Sequence, residues 1–329
     1  MSTQTAIARA HTNIALVKYW GKKDQKLIIP FNNSISLTLA PFYTDTKVTF
    51  DEALIADQLI INGQLQTSMA TQRVHNFLDI VRQMAGIPTF AKVTTINHVA
   101  TAAGLASSAS GFAALALAAS RAAGLHLTKS ALSRLARRGS GSACRSIYGG
   151  LVEWQRGSDD LTSLAVPIEE QIDWGLQMIA IVLDSHTKKI SSRNGMANTV
   201  ATSPYYDAWV KVANDDARKM RAAIAAHDIN QIGIIAQNNA LKMHATTMAA
   251  NPGFTYLQPQ TLKTMQIITN LQQQGLTCYY TMDAGPNVKV ICDKAQTNLL
   301  LHELRKYFNE QQLLVARPGV GAHLIDALG

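Results

Sequence analysis

The sequence predicts an α+β fold in two parts, from three observations. Strand-like and helix-like segments are mixed over residues 1–185, long helical stretches follow one another between residues 203 and 274, and a strand–turn–strand unit occupies residues 278–292. Segregation of this kind points away from a doubly wound parallel sheet, in which strands and helices alternate throughout. The division is placed near residue 185, separating residues 1–185 from residues 186–329.

The elements follow in order. Thr5 to Ala10 and Ile35 to Leu39 read as strands, and Leu59-Ile60-Ile61 runs into Asn62-Gly63, a two-residue hairpin signal. Helical periodicity extends from Met69 to Met84 and stops at Gly86. Lys92 to Ile96 is strand-like, and an Ala- and Leu-rich helix ending near Gly124 follows a small-residue loop. Thr128 is placed to cap a helix that ends at Gly139, and Leu151–Trp154 and Met178–Leu183 are further strands. Ser203-Pro204 reads as a helix start, with Ser as cap and Pro at the first helical position. Helices are then expected to Ala226, from Asp228 to Ala250 and from Pro259 to Gln274, where Gly275 stops the last. Strands at 278–282 and 288–292, a helix over 296–308 and a strand near 313–316 complete the chain.

With 329 residues, 47% of them hydrophobic and 16% charged, the chain can bury a substantial core and is not disordered. It has no apolar run of membrane-spanning length and no basic-then-apolar leader, so it is expected in the cytoplasm, away from membranes. Cys144, Cys278 and Cys292 are odd in number and widely spaced, and none has a Cys/His ligand spacing, which argues against a disulfide framework or structural zinc. The net charge of +8 is scattered in short clusters such as Lys22-Lys23 and Arg137-Arg138. That distribution suits a pocket for a small polyanion as well as it suits a duplex, and charge alone does not choose.

Five segments carry chemistry. In Asn97 to Gly111 a strand passes through small residues into a helix start, where orphan backbone N–H groups and the positive end of the helix dipole make an anion site. Ser107, Ser108 and Ser110 add hydroxyl donors there. The Walker pattern is excluded because Gly111 precedes Phe112, and the three spaced glycines of a dinucleotide fingerprint are absent. A Ser/Ala-rich helix start packed on a sheet is the equally weighted alternative. Asn13 to Lys22 places two cations, Lys18 and Lys22, around a phenol and an indole, which is either an anion site or a strand end with solvated lysines. Gly139 to Gly150 sets Ser140, Ser142 and Ser146 around Arg145, a guanidinium that either grips a carboxylate through two parallel N–H bonds or faces water from a turn. Cations and hydroxyls recur over Asp184 to Arg193, as a cleft or a linker. Asp283, at a strand tip before Ala284-Gly285-Pro286, is a base or the hydrogen-bonding acid of its own turn.

In order and wording these segments resemble the GHMP kinase superfamily and, within it, the diphosphomevalonate decarboxylase family. The resemblance rests on Lys18-Tyr19-Trp20-Gly21-Lys22, Thr101-Ala102-Ala103-Gly104-Leu105-Ala106-Ser107-Ser108, Ser140-Gly141-Ser142-Ala143-Cys144-Arg145-Ser146 and Met282-Asp283-Ala284-Gly285-Pro286-Asn287, and it spans nearly the whole chain. The small-residue loop marks only the superfamily, whereas the Lys-Tyr-Trp-Gly-Lys and Ser-Gly-Ser-Ala-Cys-Arg segments are far more selective. One departure is Ala100, where the family usually has Pro. Losing that fixed φ loosens the loop entrance without removing a ligand.

The resemblance implies a GHMP kinase-like fold, with an N-terminal nucleotide-binding domain and a C-terminal ferredoxin-like α/β sandwich. It implies ATP-dependent decarboxylation of (R)-5-diphosphomevalonate to isopentenyl diphosphate by way of 3-hydroxyl phosphorylation. It also implies ATP and Mg²⁺ as cofactors and a homodimer. Asp283, Arg145 and Lys18 take catalytic positions. Tyr19, Trp20, Gly21, Lys22, Arg73, Ser140, Gly141, Ser142, Ala143, Cys144, Arg145, Ser192 and Arg193 take substrate positions. Ala103, Gly104, Leu105, Ala106, Ser107, Ser108 and Lys188 take nucleotide positions, and no metal ligand is assigned. A mevalonate 3-kinase or a monophosphate-specific decarboxylase would share the fold and the loop. Retention of Arg145, Asp283, Lys18, Lys22 and Arg73 argues against both. A nucleic-acid-binding protein is the rival from another class, disfavoured by scattered charge without an aromatic–basic patch.

Overall fold

A computed structural model describes residues 4–67, 69–98, 107–184 and 190–329. The larger sheet is built on two long strands, β1 (Gln4–Val17) and β4 (Ser34–Phe50), paired antiparallel with register shifts at His11/Thr12 and Ala15/Val17. Between them lies a small ribbon of β2 (Lys22–Asp24) and β3 (Ile29–Pro30). The expected hairpin forms as β5 (Gln58–Ile61) and β6 (Gln64–Leu65) around Asn62-Gly63. After α1 (Met69–Ala85), β7 (Ala91–Asn97) pairs with the second half of β4 and lies parallel to β5. Next come α2 (Ser107–Ala122) and α3 (Lys129–Gly139), the latter capped by the Thr128 hydroxyl, which accepts from the Ala131 N–H. A 3₁₀ turn, Gly141–Ile147, leads into β8 (Leu151–Gln155), which pairs with the first half of β4 and with β9 (Leu164–Glu169).

The second sheet begins with β10 (Leu176–Ile181). Four helices follow: α4 (Ser192–Thr202), α5 (Tyr206–Ala225), α6 (Ile229–Met248) and α7 (Pro259–Gln273). Then come β11 (Cys278–Met282), β12 (Val288–Asp293), α8 (Thr297–Leu304) and β13 (Leu313–Ala316), giving the order β11-β12-β10-β13. The chain returns to the first sheet as β14 (His323–Leu324), beside β1.

Side-chain alternation sets the layers. In β10, Met178 faces a core shared with Ile14, Leu16, Ile35 and Leu37 of the first sheet and with Met220 and Ile232 of α5 and α6, so those helices lie between the two sheets. Its neighbours Ile179 and Ile181 face the opposite way, onto Ile268 of α7 and Leu300 of α8. In α1 the i, i+3, i+4, i+7 set Val74, Phe77, Leu78 and Val81 packs with α2 and α3 on the outer face of the first sheet.

Sheet membership switches between β9 and β10. Two expectations change. Ser203 is the C-cap of α4, its N–H bonded to the Thr199 carbonyl, and the next helix begins at Tyr206. The helix expected over 296–308 ends at Leu304.

Candidate active site

The site forms where the end of β1 meets the tip of β11. Val17 is the last residue of β1, and Lys18 follows it into the interior, with only 2% of its surface exposed. Its Nζ donates to Asp283 Oδ1 at 2.7 Å and to the Ala15 carbonyl at 2.7 Å. Asp283 directly follows β11. Lys289, equally buried on β12, lies 3.7 Å from Asp283 Oδ2, so two ammonium groups flank one carboxylate. Burial holds both lysines below their ordinary pKa, and Asp283 opposes that shift. The solvated reading of Lys18 is therefore overturned.

Arg145 sits in the 3₁₀ turn with 2% exposure, which removes the water-facing alternative. Its Nε donates to Ser36 Oγ at 2.8 Å, its Nη1 to Ser34 Oγ, and its Nη2 to Asn13 Oδ1 at 3.2 Å. Asn13 Nδ2 in turn donates to the Ser142 carbonyl at 3.0 Å and to Ser146 Oγ at 2.7 Å, tying β1 to the turn. Among the described residues, the hydrogen-bond partners of the guanidinium are neutral side chains, which leaves its charge available to an incoming anion. Burial lowers its pKa, against the pull of nearby acids including Asp283.

Lys18, Asp283, Arg145 and Asn13 line one cavity of about 780 Å³, with Lys289, Ser34 and Ser36 behind its wall. Lys18, Lys22, Arg73, Arg145 and Arg193 give it five cations, and among the described lining residues Asp283 is the only acid. Lys22 is pushed down to about 8 by burial and by its neighbours Arg193 and Arg73, and Arg73 is pushed down to about 10 by burial and Arg193. Arg73 is aimed by its Nη2 bond to the Gly139 carbonyl at 2.7 Å. Ser192 and Arg193 enter from the first turn of α4, whose N-cap Ser191 accepts from the Asn194 N–H. Ser108 enters from the first turn of α2, 3.4 Å from Ser140 Oγ. Two helix starts and a cationic wall suit phosphate groups. Tyr19 packs on Trp154 with ring centroids 4.7 Å apart, and its hydroxyl is buried with no hydrogen-bond partner among the described residues. A Cβ at Gly141 would lie 2.9 Å from both rings, so only glycine lets the turn pass there.

Two family models match the chain: the diphosphomevalonate decarboxylase-like N-terminal domain over residues 10–165 and the mevalonate 5-diphosphate decarboxylase C-terminal domain over residues 178–318. The chain belongs to the diphosphomevalonate decarboxylase family. The diphosphomevalonate decarboxylase of Candida albicans is 36% identical over 92% of this chain and 88% of its own length. The crystal structure of mevalonate diphosphate decarboxylase from Staphylococcus aureus is 44% identical, with a TM-score of 0.95 over 99% of both chains. A structure described as MDDEF in complex with MVAPP, AMPPCP and magnesium is 46% identical, with a TM-score of 0.94 over 99% of this chain and 100% of that one. The architecture is accordingly the α+β, GHMP kinase-like fold of diphosphomevalonate decarboxylases.

Of the residues expected to bind substrate, Tyr19, Trp20, Lys22, Arg73, Ser140, Gly141, Ser142, Arg145, Ser192 and Arg193 line the cavity. Gly21, Ala143 and Cys144 do not. Ala143 and Cys144 lie in the core behind it, and Gly21 makes a turn at φ +105°. Ala103, Gly104, Leu105, Ala106 and Lys188, together with Ala100, lie outside the described residues, as does the Ser107 side chain. Sequence reasoning gave Asn13 no role within the segment it opens and missed Ser34, Ser36 and Lys289 as parts of the site. Ser34 and Ser36 are two small hydroxyls on one face of an apolar strand, and Lys289 interrupts the apolar run of β12, both legible as period-2 signals.

Proposed function

We infer that this chain catalyses the ATP-dependent decarboxylation of (R)-5-diphosphomevalonate to isopentenyl diphosphate, CO₂, ADP and phosphate. The observation that carries the reading is the single cavity that joins the Lys18–Asp283 pair, the neutrally cradled Arg145 and a cluster of three further cations, in a chain of this family.

The chemistry assigns a task to each group. A 3-hydroxy acid has no electron sink for direct loss of CO₂, so its tertiary hydroxyl must first become a leaving group. Asp283 accepts or orients the 3-hydroxyl proton, work that contributes about 10²–10⁴-fold. Lys18 fixes the carboxylate through its 2.7 Å bond. Once phosphate departs with the C–O electron pair, positive charge builds at C3. The C1–C2 bond then breaks, its electrons form the C2=C3 double bond, and CO₂ leaves. Arg145 grips the substrate carboxylate with its fork and holds the C–C bond for cleavage. Lys22, Arg73, Arg193, Ser192 and Tyr19 hold the diphosphate end, with Trp20, Ser140, Gly141 and Ser142 completing the wall.

ATP, carrying Mg²⁺ largely on its own phosphates, supplies the phosphoryl group. The start of α2 fits a polyphosphate, and Ser107, Ser108, the loop Ala103 to Ala106 and Lys188 are the residues assigned to it. The same reading makes the enzyme a cytoplasmic homodimer. The three unpaired cysteines suit a reducing compartment, and none of the helices, over the described residues, is long and apolar enough to cross a membrane. Light scattering and fractionation test those two points.

The test of the activity is mass spectrometry of the products formed from diphosphomevalonate and MgATP. Isopentenyl diphosphate, ADP, phosphate and CO₂ in equal amounts are expected. ADP with a stable 3-phosphorylated product would instead mean a kinase, and turnover of the monophosphate alone would mean the monophosphate-specific decarboxylase.

A further inference from the structure

Lys18 lies just past the end of β1, where ladder hydrogen bonds stop, yet its peptide groups remain buried and need partners. Both partners are side-chain amides. The Lys18 N–H donates to Asn239 Oδ1 at 2.8 Å, and the Lys18 carbonyl accepts from Asn32 Nδ2 at 2.8 Å. Asn239 sits in the middle of α6 with no exposed surface, and its Nδ2 donates to Asp216 Oδ2 of α5 at 2.9 Å. Asp216 also accepts from Lys242 Nζ at 2.9 and 3.1 Å. The two ends of the Asn239 amide thus have opposite duties, which fixes its orientation. A flipped amide would set N–H against N–H and oxygen against carboxylate. A polar side chain is a poor choice for a buried mid-helix position unless both of its ends are satisfied.

We propose that the Asp216–Asn239 pair is a positioning device for Lys18, setting its place beyond β1 and so its meeting with Asp283. The pair links Lys18 to α6, which packs against β11 and β12, the first leading directly into Asp283 and the second carrying Lys289. Nζ is then held by Ala15 and Asp283 while the main chain is held from α6, and the ammonium has no slack. This proposal rests on the assignment of Lys18 and Asp283 to phosphoryl transfer.

The test is an exchange of the two side chains. Asn239→Asp keeps an acceptor for the Lys18 N–H but sets two buried carboxylates against each other, so the contact with Asp216 turns repulsive. Turnover is expected to fall about 10- to 10²-fold, with KM for diphosphomevalonate and ATP little changed, as for a misplaced reacting group. Adding Asp216→Asn restores a donor opposite the new carboxylate at unchanged total charge, and the double variant should recover turnover to within about three-fold of the parent. If Asn239→Asp does not fold, Asn239→Ala, which loses both bonds without adding charge, should show the same selective loss of kcat. A purely structural role predicts lowered and rescued Tm values with kcat normal in folded protein. That result, or an exchange that restores Tm but not kcat, overturns the proposal. Lys18→Met separates the two readings. Wild-type turnover in Lys18→Met defeats the role of Lys18 itself, whereas a crippled Lys18→Met beside an unimpaired Asn239→Asp defeats only the positioning device.

Discussion

Lys18 Nζ and Asp283 Oδ1 meet at 2.7 Å although 265 residues separate them, and the bond joins the end of the first sheet to the tip of the second. Lys18 is buried while Asp283 is half-buried, and desolvating such a pair offsets much of its attraction, so it adds little net stability. With Lys289 and Arg145 also buried nearby, the site concentrates positive charge beyond what Asp283 neutralises. That excess suits a substrate that brings its own carboxylate and diphosphate.

Arg145→Lys keeps the charge but loses the planar fork that Ser34, Ser36 and Asn13 cradle. Turnover should fall at least about 10²-fold while nucleotide affinity holds, a loss on the scale of removing one preorganised donor. Rapid-quench samples should contain ADP in excess of CO₂. Near-normal CO₂ release would remove the carboxylate clamp.

Ser108→Ala removes a hydroxyl from the first turn of α2. Transfer from ATP should weaken far more than diphosphomevalonate binding, measured as separate dissociation constants and a single-turnover rate. Equal losses for both ligands would place Ser108 elsewhere.

Lys22 gives the site a pH limit. Its ammonium, held at about 8 chiefly by burial, is charged below that pH and neutral above it. The substrate diphosphate stays anionic across this range, so attraction is lost as pH rises. KM for diphosphomevalonate should climb above pH 8 by up to about ten-fold per unit. Lys22→Arg, whose guanidinium stays protonated, should flatten that limb. An alkaline limb unchanged in the arginine variant would assign it to another group.

Much of the fold was legible because strong local signals agreed with tertiary demand. The Asn62-Gly63 hairpin, the Thr128 cap and the stop at Gly275 each appear where their chemistry places them. The misses share a cause in contacts distant in sequence. Helix α4 begins in Ser-Arg-Asn-Gly, a weak helical stretch, and packs Gly195 against Tyr256 and Phe254. Strand β9 carries Pro167, which an edge strand tolerates and a sequence pattern penalises. Arg145 could be read equally well as a ligand or a solvated turn because Ser34 and Ser36, which bury it, lie 111 and 109 residues away. The five chemical segments were visible one by one. Their convergence on one cavity was not, since it depends on which sheets and helices pack together.

Turnover of Asp283→Asn tests the central claim most directly. The exchange removes basicity and charge at almost constant volume, so fold and ATP binding should persist while kcat drops by about 10²-fold or more. A folded Asp283→Asn protein that binds both substrates and still releases isopentenyl diphosphate at more than about a tenth of the parent rate would contradict the assignment of Asp283 as the base.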